Sequence, residues 1–297
     1  MTFGISEEFS YFRCFNCGTL NLTAIPRYMS KYYPREYMAH IDRLAPVKLL
    51  FSAIIYKLYF RGNKSLVKKF IDDKLGKTNM FSAMQTLLNL SNKKNYNKST
   101  LLDVGTNNGS FLKKLRLLGF KALIGVDPFI SSHSHSWGNV SIIKSDVFGI
   151  DGQFDYVVMN HSIEHLRDPV RTLVRIRRIT KTNSVVMIRT PIVDSYAFNK
   201  YRDRWVHLDP PRHISIFTKR SMKIAAELAH FRVVKIDYDS TWESFGLSEL
   251  CMKGLPLYLN RNHRFSNKQV SMWKALATKL NEERKGDTAV FFLRPSD

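Results

Sequence analysis

Cysteine is scarce in this chain: Cys14, Cys17 and Cys251 are the only three in 297 residues, too few for a disulfide framework. No N-terminal stretch joins a basic segment to a long apolar run and a small-residue cleavage site, so a reducing, cytoplasmic setting is expected. Long apolar runs are lacking too. The longest, around residues 46–60, is interrupted by Lys48 and Lys57 and falls short of the ~20 residues a membrane span requires. It reads as a buried or interfacial helix, which excludes a transmembrane span and leaves peripheral membrane contact open. Acidic residues are the third shortage, 25 against 46 Lys and Arg for a formal charge of +21, which favours an anionic partner. The basic residues are scattered and not interleaved with aromatics along one segment, so nucleic acid is the less favoured partner. No internal repeat or low-complexity tract is evident.

What is present is enough hydrophobic sequence, 44%, for one full α/β domain with additions or two modest domains. Helical periodicity runs through Leu66 to Ile71 and Met80 to Leu90, and SNKKNYNKST then reads as a linker. From Thr100 the pattern changes. Short β-rich runs (TLLDVG, ALIGVD, SIIKSD, FDYVVMN, SVVMIRT, FRVVKIDY) alternate with helical ones (SFLKKLRLLG, DPVRTLVRIRRI, SMKIAAELA). A last run, TAVFFLRP, reads as a strand that returns to the sheet after an insertion at about 241–285. The alternation implies βαβ units in an α/β fold: a doubly wound, mainly parallel, seven-stranded sheet. The expected division is an N-terminal extension over residues 1–95, a Cys-x-x-Cys segment plus helices, and a ligand-binding domain over 96–297.

The first strand ends in Asp103-Val104-Gly105-Thr106-Asn107-Asn108-Gly109 and runs directly into a helix. In a doubly wound sheet ligands bind beyond the carboxyl ends of the strands. Gly105 lets the chain turn sharply against a ligand, and Gly109 lets the helix start pack on the strand. A dinucleotide fingerprint needs glycines at 105, 107 and 110, but Asn107 and Ser110 stand there, which weakens a nicotinamide reading. The second strand ends in Asp127, placed to accept hydrogen bonds from ribose hydroxyls. Asp146 ends the third, where a side chain reaches an adenine edge. Acids at strand ends can also merely cap the next helix, but three in order at successive ends favour a nucleoside ligand.

These segments, LLDVGTNNGSFL, GVDPF, SDVF and FDYVVMNHSIEHLRDP, resemble the class I S-adenosylmethionine-dependent methyltransferases over about residues 100–240. In that family the Asp-x-Gly-x-x-x-Gly loop cradles the methionine and ribose, which implies Asp103, Gly105 and Gly109 as cofactor residues. Asp127 matches the ribose-binding acid and Asp146, less specifically, the adenine-site acid. Thr106 and Asn107 within the loop and Asn160 at the end of the fourth strand complete the candidate cofactor set.

Methyl transfer from a sulfonium requires the acceptor atom to be held against the methyl carbon and, for a hydroxyl, its proton to be removed. Histidine suits that task. His161 and His165 follow the fourth strand, and His207 and His213 follow the fifth. His161, His165 and His213 are the candidate catalytic residues. The structural alternative is that His161 and His165 share one helix face, with Glu164 a helix-start acid. No metal is expected, since no third ligand stands beside that pair.

Glu164-His165-Leu166-Arg167-Asp168-Pro169, the Asp239–Glu249 stretch and the ending from Gly286 to Leu293 look like a bacterial methyltransferase subgroup associated with sugar and surface-polysaccharide biosynthesis. That resemblance implies a glycan or nucleotide-sugar acceptor, with Arg189, Arg202, Arg204 and Arg212 as candidate phosphate or carboxylate contacts. RNA or small-molecule methylation and a non-catalytic S-adenosylmethionine-binding module are the competing readings. The subgroup often begins with a zinc module, of which Cys14-Phe15-Asn16-Cys17 is half, and without a second Cys-x-x-Cys it is expected to hold no metal.

Overall fold

The computed structural model describes residues 7–33, 79–91, 98–116, 119–130, 134–255, 257 and 265–296. The apolar run at 46–60, the periodicity from Leu66 to Ile71 and most of the SNKKNYNKST linker lie outside these residues.

In chain order the elements are β1 (Tyr11–Arg13), β2 (Leu20–Leu22), α1 (Asn79–Leu90), β3 (Thr100–Val104), α2 (Ser110–Arg116), β4 (Ala122–Val126), β5 (Ser134–Trp137), β6 (Val140–Ile143), β7 (Phe154–Asn160), α3 (Pro169–Arg178), β8 (Thr180–Pro191), α4 (Tyr196–Tyr201), β9 (Ser215–Ile216), α5 (Lys219–Leu228), β10 (Phe231–Tyr238), α6 (Trp242–Met252), α7 (Asn267–Glu282) and β11 (Thr288–Pro295), with one-turn helices between several of them. The main sheet has the order β10-β11-β8-β7-β3-β4-β6-β5. A β3–β4 pair, a β3–β7 pair and a β4–β6 pair are parallel, and β5 runs antiparallel to β6. The expected mainly parallel α/β sheet is therefore present, with eight strands in place of seven. The extra edge strand is β5, whose sequence Ser-His-Ser-Trp has none of the β-branched alternation that marks a strand.

The chain forms two compact units. One comprises 35–160, 172–187 and 292–297. Its central strands are apolar on both faces: six of the seven residues of β7 are buried, as are Leu101, Leu102 and Val104 of β3. Such continuous runs belong to a parallel sheet covered on both sides. Burying each large aliphatic side chain contributes about 1.5–3 kcal/mol. The buried Asp155 is held where β7 starts, accepting from Thr100 N–H at 2.9 Å and from Lys181 Nζ at 2.9 Å.

The other unit comprises 1–34, 161–171 and 188–291. Its small sheet joins β1, β2 and β9 in antiparallel pairs, with Leu20 opposite Ile216. Val193, Tyr201, Trp205, Phe245, Trp273 and Leu280 gather in its core. The insertion before β11 is helical. Capping boxes start α5 (Thr218 with Ser221) and α7 (Ser266 with Gln269). Buried Asp287 accepts from Trp205 Nε1 at 2.9 Å and from the Ser244 hydroxyl, so part of the C-terminal Gly-Asp-Thr-Ala-Val-Phe-Phe motif is core structure.

Gly109 starts α2 at φ +70°, and a Cβ there would lie 2.0 Å from Ile142 Cδ1. Gly109→Ala is expected to destabilise the protein by about 2–4 kcal/mol, combining left-handed backbone strain with overpacking. A lowered urea midpoint at unchanged m would show it; shortening the partner in Gly109→Ala/Ile142→Val should recover part of the loss.

Candidate functional site

The loop after β3 is built by two departures from ordinary backbone. Gly105 has φ +82° and Asn107 has φ +51°, a region open to glycine and tolerated by Asn. Gly105 and Thr106 donate their N–H groups to Val126 O at 2.8 and 3.1 Å, which ties the loop to the end of β4. Asn107 N–H donates to Asp127 Oδ2 at 3.0 Å, and Phe129 N–H donates to Asp127 Oδ1 at 2.8 Å. Each Asp127 oxygen thus retains acceptor capacity for a ligand hydroxyl. Asp146 uses Oδ1 to accept from Phe148 N–H at 2.9 Å and Gly149 N–H at 3.3 Å, so it does cap the one-turn helix that follows it. Asn160 is the last residue of β7.

Asp103 is buried, 3% exposed. Burial pushes its carboxyl up to about 7, and the charge of Asp127 adds to it. The Thr106 hydroxyl is itself buried without a hydrogen-bond partner among the described residues. Left-handed turns, carboxylates at three successive strand ends and an unsatisfied buried hydroxyl suit a ligand with ribose hydroxyls and a cationic centre. The residues therefore fit S-adenosylmethionine. Two rings that sequence reasoning missed stand beside the acids: Phe129 and Phe148, each two residues after its Asp, are 51% and 42% exposed. Exposed aromatics immediately after strand-end acids were the available signal.

The candidate catalytic histidines belong to the other unit. His161 takes a left-handed backbone, φ +50°, and its N–H donates to Arg189 O at 2.8 Å. Its Nε2 contacts the guanidinium of Arg189. Since Arg only donates, that nitrogen accepts and Nδ1 carries the hydrogen given to Glu164 Oε1 at 3.1 Å. Glu164 has no exposure at all, and its Oε2 accepts from the Thr190 hydroxyl at 3.0 Å. Burial alone would raise this carboxyl, but the His161 hydrogen bond and the surrounding imidazoles more than offset it and hold it below the usual carboxylate range.

His165 Nδ1 lies 2.9 Å from Arg212 O, and His213 Nδ1 lies 2.6 Å from His207 O. A carbonyl only accepts, so both Nδ1 atoms carry hydrogen and both Nε2 lone pairs are left available. The two rings meet edge to face at 4.7 Å between centroids. Burial pushes His213 down to about 4, with His165 adding to the effect, so at neutral pH it carries no charge. His207 is lowered by burial too and stacks on His161 at 6.2 Å.

Glu164, His165 and His213 converge, with one ligating atom from each lying within 4.8 Å of the others. The sequence reading cast Glu164 as a helix-start acid; in the fold it is the hub of this cluster. Tyr11, also missed, donates from its hydroxyl to His213 O at 2.6 Å. The aromatic richness of the N-terminal segment was its only trace.

The proposed anion-contacting arginines divide. Arg212 is 2% exposed and grips Asp209 through two nitrogens, and Arg189 pairs with Asp239 at 2.6 Å. Both are committed to internal ion pairs. Arg204 pairs with Asp203 at 3.3 Å, and Arg202 lies over the Phe198 ring. Cys14 and Cys17 stand in the β1–β2 turn, where Gly18 N–H donates to Cys14 O at 2.8 Å. Among the described residues no third ligating side chain joins the pair.

The family described as a methyltransferase domain matches residues 77–236, more than half of the 297 residues. A tRNA U34 carboxymethyltransferase of Campylobacter hominis is 26% identical over 144 residues, covering 45% of this chain and 48% of that protein. The chain thus spans about half the length of that curated relative. A solved complex of the Haloferax volcanii Trm112 methyltransferase activator with a methyltransferase matches at TM-score 0.50 and 18% identity, over 77% of this chain and 92% of that one. The Burkholderia thailandensis 1,6-didemethyltoxoflavin-N1-methyltransferase with bound S-adenosylhomocysteine matches at TM-score 0.47 and 14% identity, over 98% of this chain and 100% of that one. The likeness to the Haloferax structure is one of fold.

Asp103 yields a pH test. With its folded value near 7 against an ordinary 3.8, the folded state holds the proton that the unfolded state has lost between those limits. Stability therefore falls as pH rises from about 4 to 7. Asp103→Asn, neutral throughout, is expected to gain on the wild type by about 2–4 kcal/mol across that interval, read as a ligand-free melting-temperature difference that is larger at pH 8 than at pH 4.5.

Proposed function

Because this chain belongs to the methyltransferase-domain family and is an S-adenosylmethionine-dependent enzyme, we propose that it methylates a hydroxyl oxygen on a glycan or nucleotide-sugar acceptor. S-adenosylmethionine, when bound, supplies the activated methyl group. On this reading Asp127 receives the ribose hydroxyls, Asp146 the adenine side, and Asp103, Gly105, Thr106, Asn107, Gly109 and Asn160 line the remainder.

The observation that carries the hydroxyl assignment is the pair of imidazoles whose Nδ1 hydrogens are fixed on backbone carbonyls, at 2.9 Å for His165 and 2.6 Å for His213. Each presents its Nε2 to the site, and burial holds His213 neutral at working pH, so that it can take the proton of an acceptor hydroxyl. His161 orients Glu164, and Glu164 stabilises positive charge that develops on the neighbouring rings. The sugar assignment is supported by the Glu-His-Leu-Arg-Asp-Pro segment and the later Ser-Glu helix α6.

RNA is the second reading. A net charge of +21 and the similarity over 144 residues to a tRNA-modifying enzyme favour it. The sequence at the end of β7, Asn160-His161-Ser162-Ile163, lacks an Asn-Pro-Pro-Tyr-type or cysteine nucleophile motif that would add support. No described helix is long and apolar enough to cross a membrane.

Incubating the purified protein with methyl-labelled S-adenosylmethionine and, separately, lipid-linked glycans, nucleotide sugars and RNA should place label in a glycan or nucleotide-sugar fraction. Label confined to RNA would replace the acceptor assignment. His165→Ala and His213→Ala are each expected to lower turnover by about 10²–10⁴-fold with calorimetric S-adenosylhomocysteine affinity unchanged, whereas Asp127→Ala should weaken that affinity and leave the fold intact.

A further inference from the structure

We infer that Glu164, His165 and His213 form a binding site for a divalent transition-metal cation of the zinc class. Three electron-pair donors lie around a common volume, all within 4.8 Å of one another. Two are imidazole nitrogens and one is a carboxylate, the donor set that suits zinc and its first-row neighbours. A tetrahedral zinc site with bonds near 2.0–2.1 Å needs its ligand atoms about 3.4 Å apart, so small side-chain rotations close the distance.

Each donor also carries the support that metal ligands carry. Metal-bound histidines donate their other ring N–H to a carbonyl or carboxylate, and ligating carboxylates are themselves hydrogen-bonded. His165 Nδ1 is fixed on Arg212 O at 2.9 Å, and His213 Nδ1 on His207 O at 2.6 Å. Glu164 is held by His161 at 3.1 Å through one oxygen and by Thr190 at 3.0 Å through the other. A proton can bridge only one pair of these atoms at a time. A divalent cation meets all three and compensates a carboxylate with no exposure to water. His165 is only partly buried, which leaves a side of the site accessible for a fourth, exchangeable ligand.

Resting on the methyl-transfer reading, a bound cation would lower the pKa of an acceptor hydroxyl, and the His165 and His213 imidazoles would serve as proton acceptors when it is absent. The site itself stands without that reading.

The test is Co(II) titration of the chelator-treated full chain, followed by visible d–d absorption, in a Cys14→Ser/Cys17→Ser background that removes thiolate binding. One equivalent of Co(II) should bind with nitrogen and oxygen character and be displaced by Zn(II). His213→Ala should weaken binding at least about tenfold. Glu164→Gln, nearly isosteric and so less disruptive to folding, should weaken it as well, with circular dichroism unchanged in both. Absence of a Co(II) spectrum in the folded background protein overturns the site, as does binding that neither substitution alters. S-adenosylhomocysteine calorimetry on the same samples separates the two readings: heat without Co(II) binding removes the metal site alone, and Co(II) binding without heat removes the methyl-transfer reading alone.

Discussion

A carboxylate with no contact with water, that of Glu164, organises the histidine-bearing unit. A bare buried charge of this kind is intolerable, so each of its oxygens must be met by a donor. His161 and Thr190 supply those donors, and in doing so they fix which nitrogen of His161 bears hydrogen. Arg189 then meets the other nitrogen, and Asp239 holds Arg189. The left-handed backbone at His161, sterically costly for a residue with a Cβ, is the local strain that such over-determined surroundings can maintain. The fixed tautomers of His165 and His213 come from a different source, backbone carbonyls. The cluster thus needs no side chain outside its own unit to specify the ring orientations.

What could be read from the sequence was what is local. The loop from Asp103 to Gly109 announces itself because its chemistry, two glycines and an acid on a strand-to-helix turn, lies within seven consecutive residues. The position of Asp127 was legible because strand spacing carries it to the end of β4, and the structure adds that its carboxylate binds Asn107 N–H. The parallel sheet was legible because strands buried on both faces cannot avoid continuous apolar runs. Edge strand β5 was not, because an edge needs only backbone pairing and its residues advertise nothing.

The histidine cluster was legible only in parts. His161 and His165 stood out by spacing and His213 by its position after a strand, but Glu164 looked like an ordinary helix-start acid. Convergence of Glu164, His165 and His213 depends on the chain returning past Thr190 and through the Asp209–Arg212 turn, information that no window of the sequence holds. The basic composition misled in a comparable way. Arg189 and Arg212 were read as available for anions, yet each neutralises an internal carboxylate. Net charge counts residues without regard to partners, so it overstates the positive surface on offer.

Asn107 shows how a residue with a side chain can be absorbed at a left-handed position. An L-residue at φ +51° costs on the order of 1 kcal/mol relative to glycine, and Asn lies at the low end of that range because its short polar side chain tolerates the left-handed region. The conformation turns its N–H toward Asp127 Oδ2, at 3.0 Å, a charge-assisted bond worth roughly the same amount or more. The strain is therefore offset by the acid at the end of β4. Replacing Asp127 then releases the loop as well as removing a carboxylate from the end of β4. That coupling separates Asp127 from an acid that only caps a helix: Asp146, which spends one oxygen on a one-turn cap, has no comparable hold on the backbone of the glycine loop.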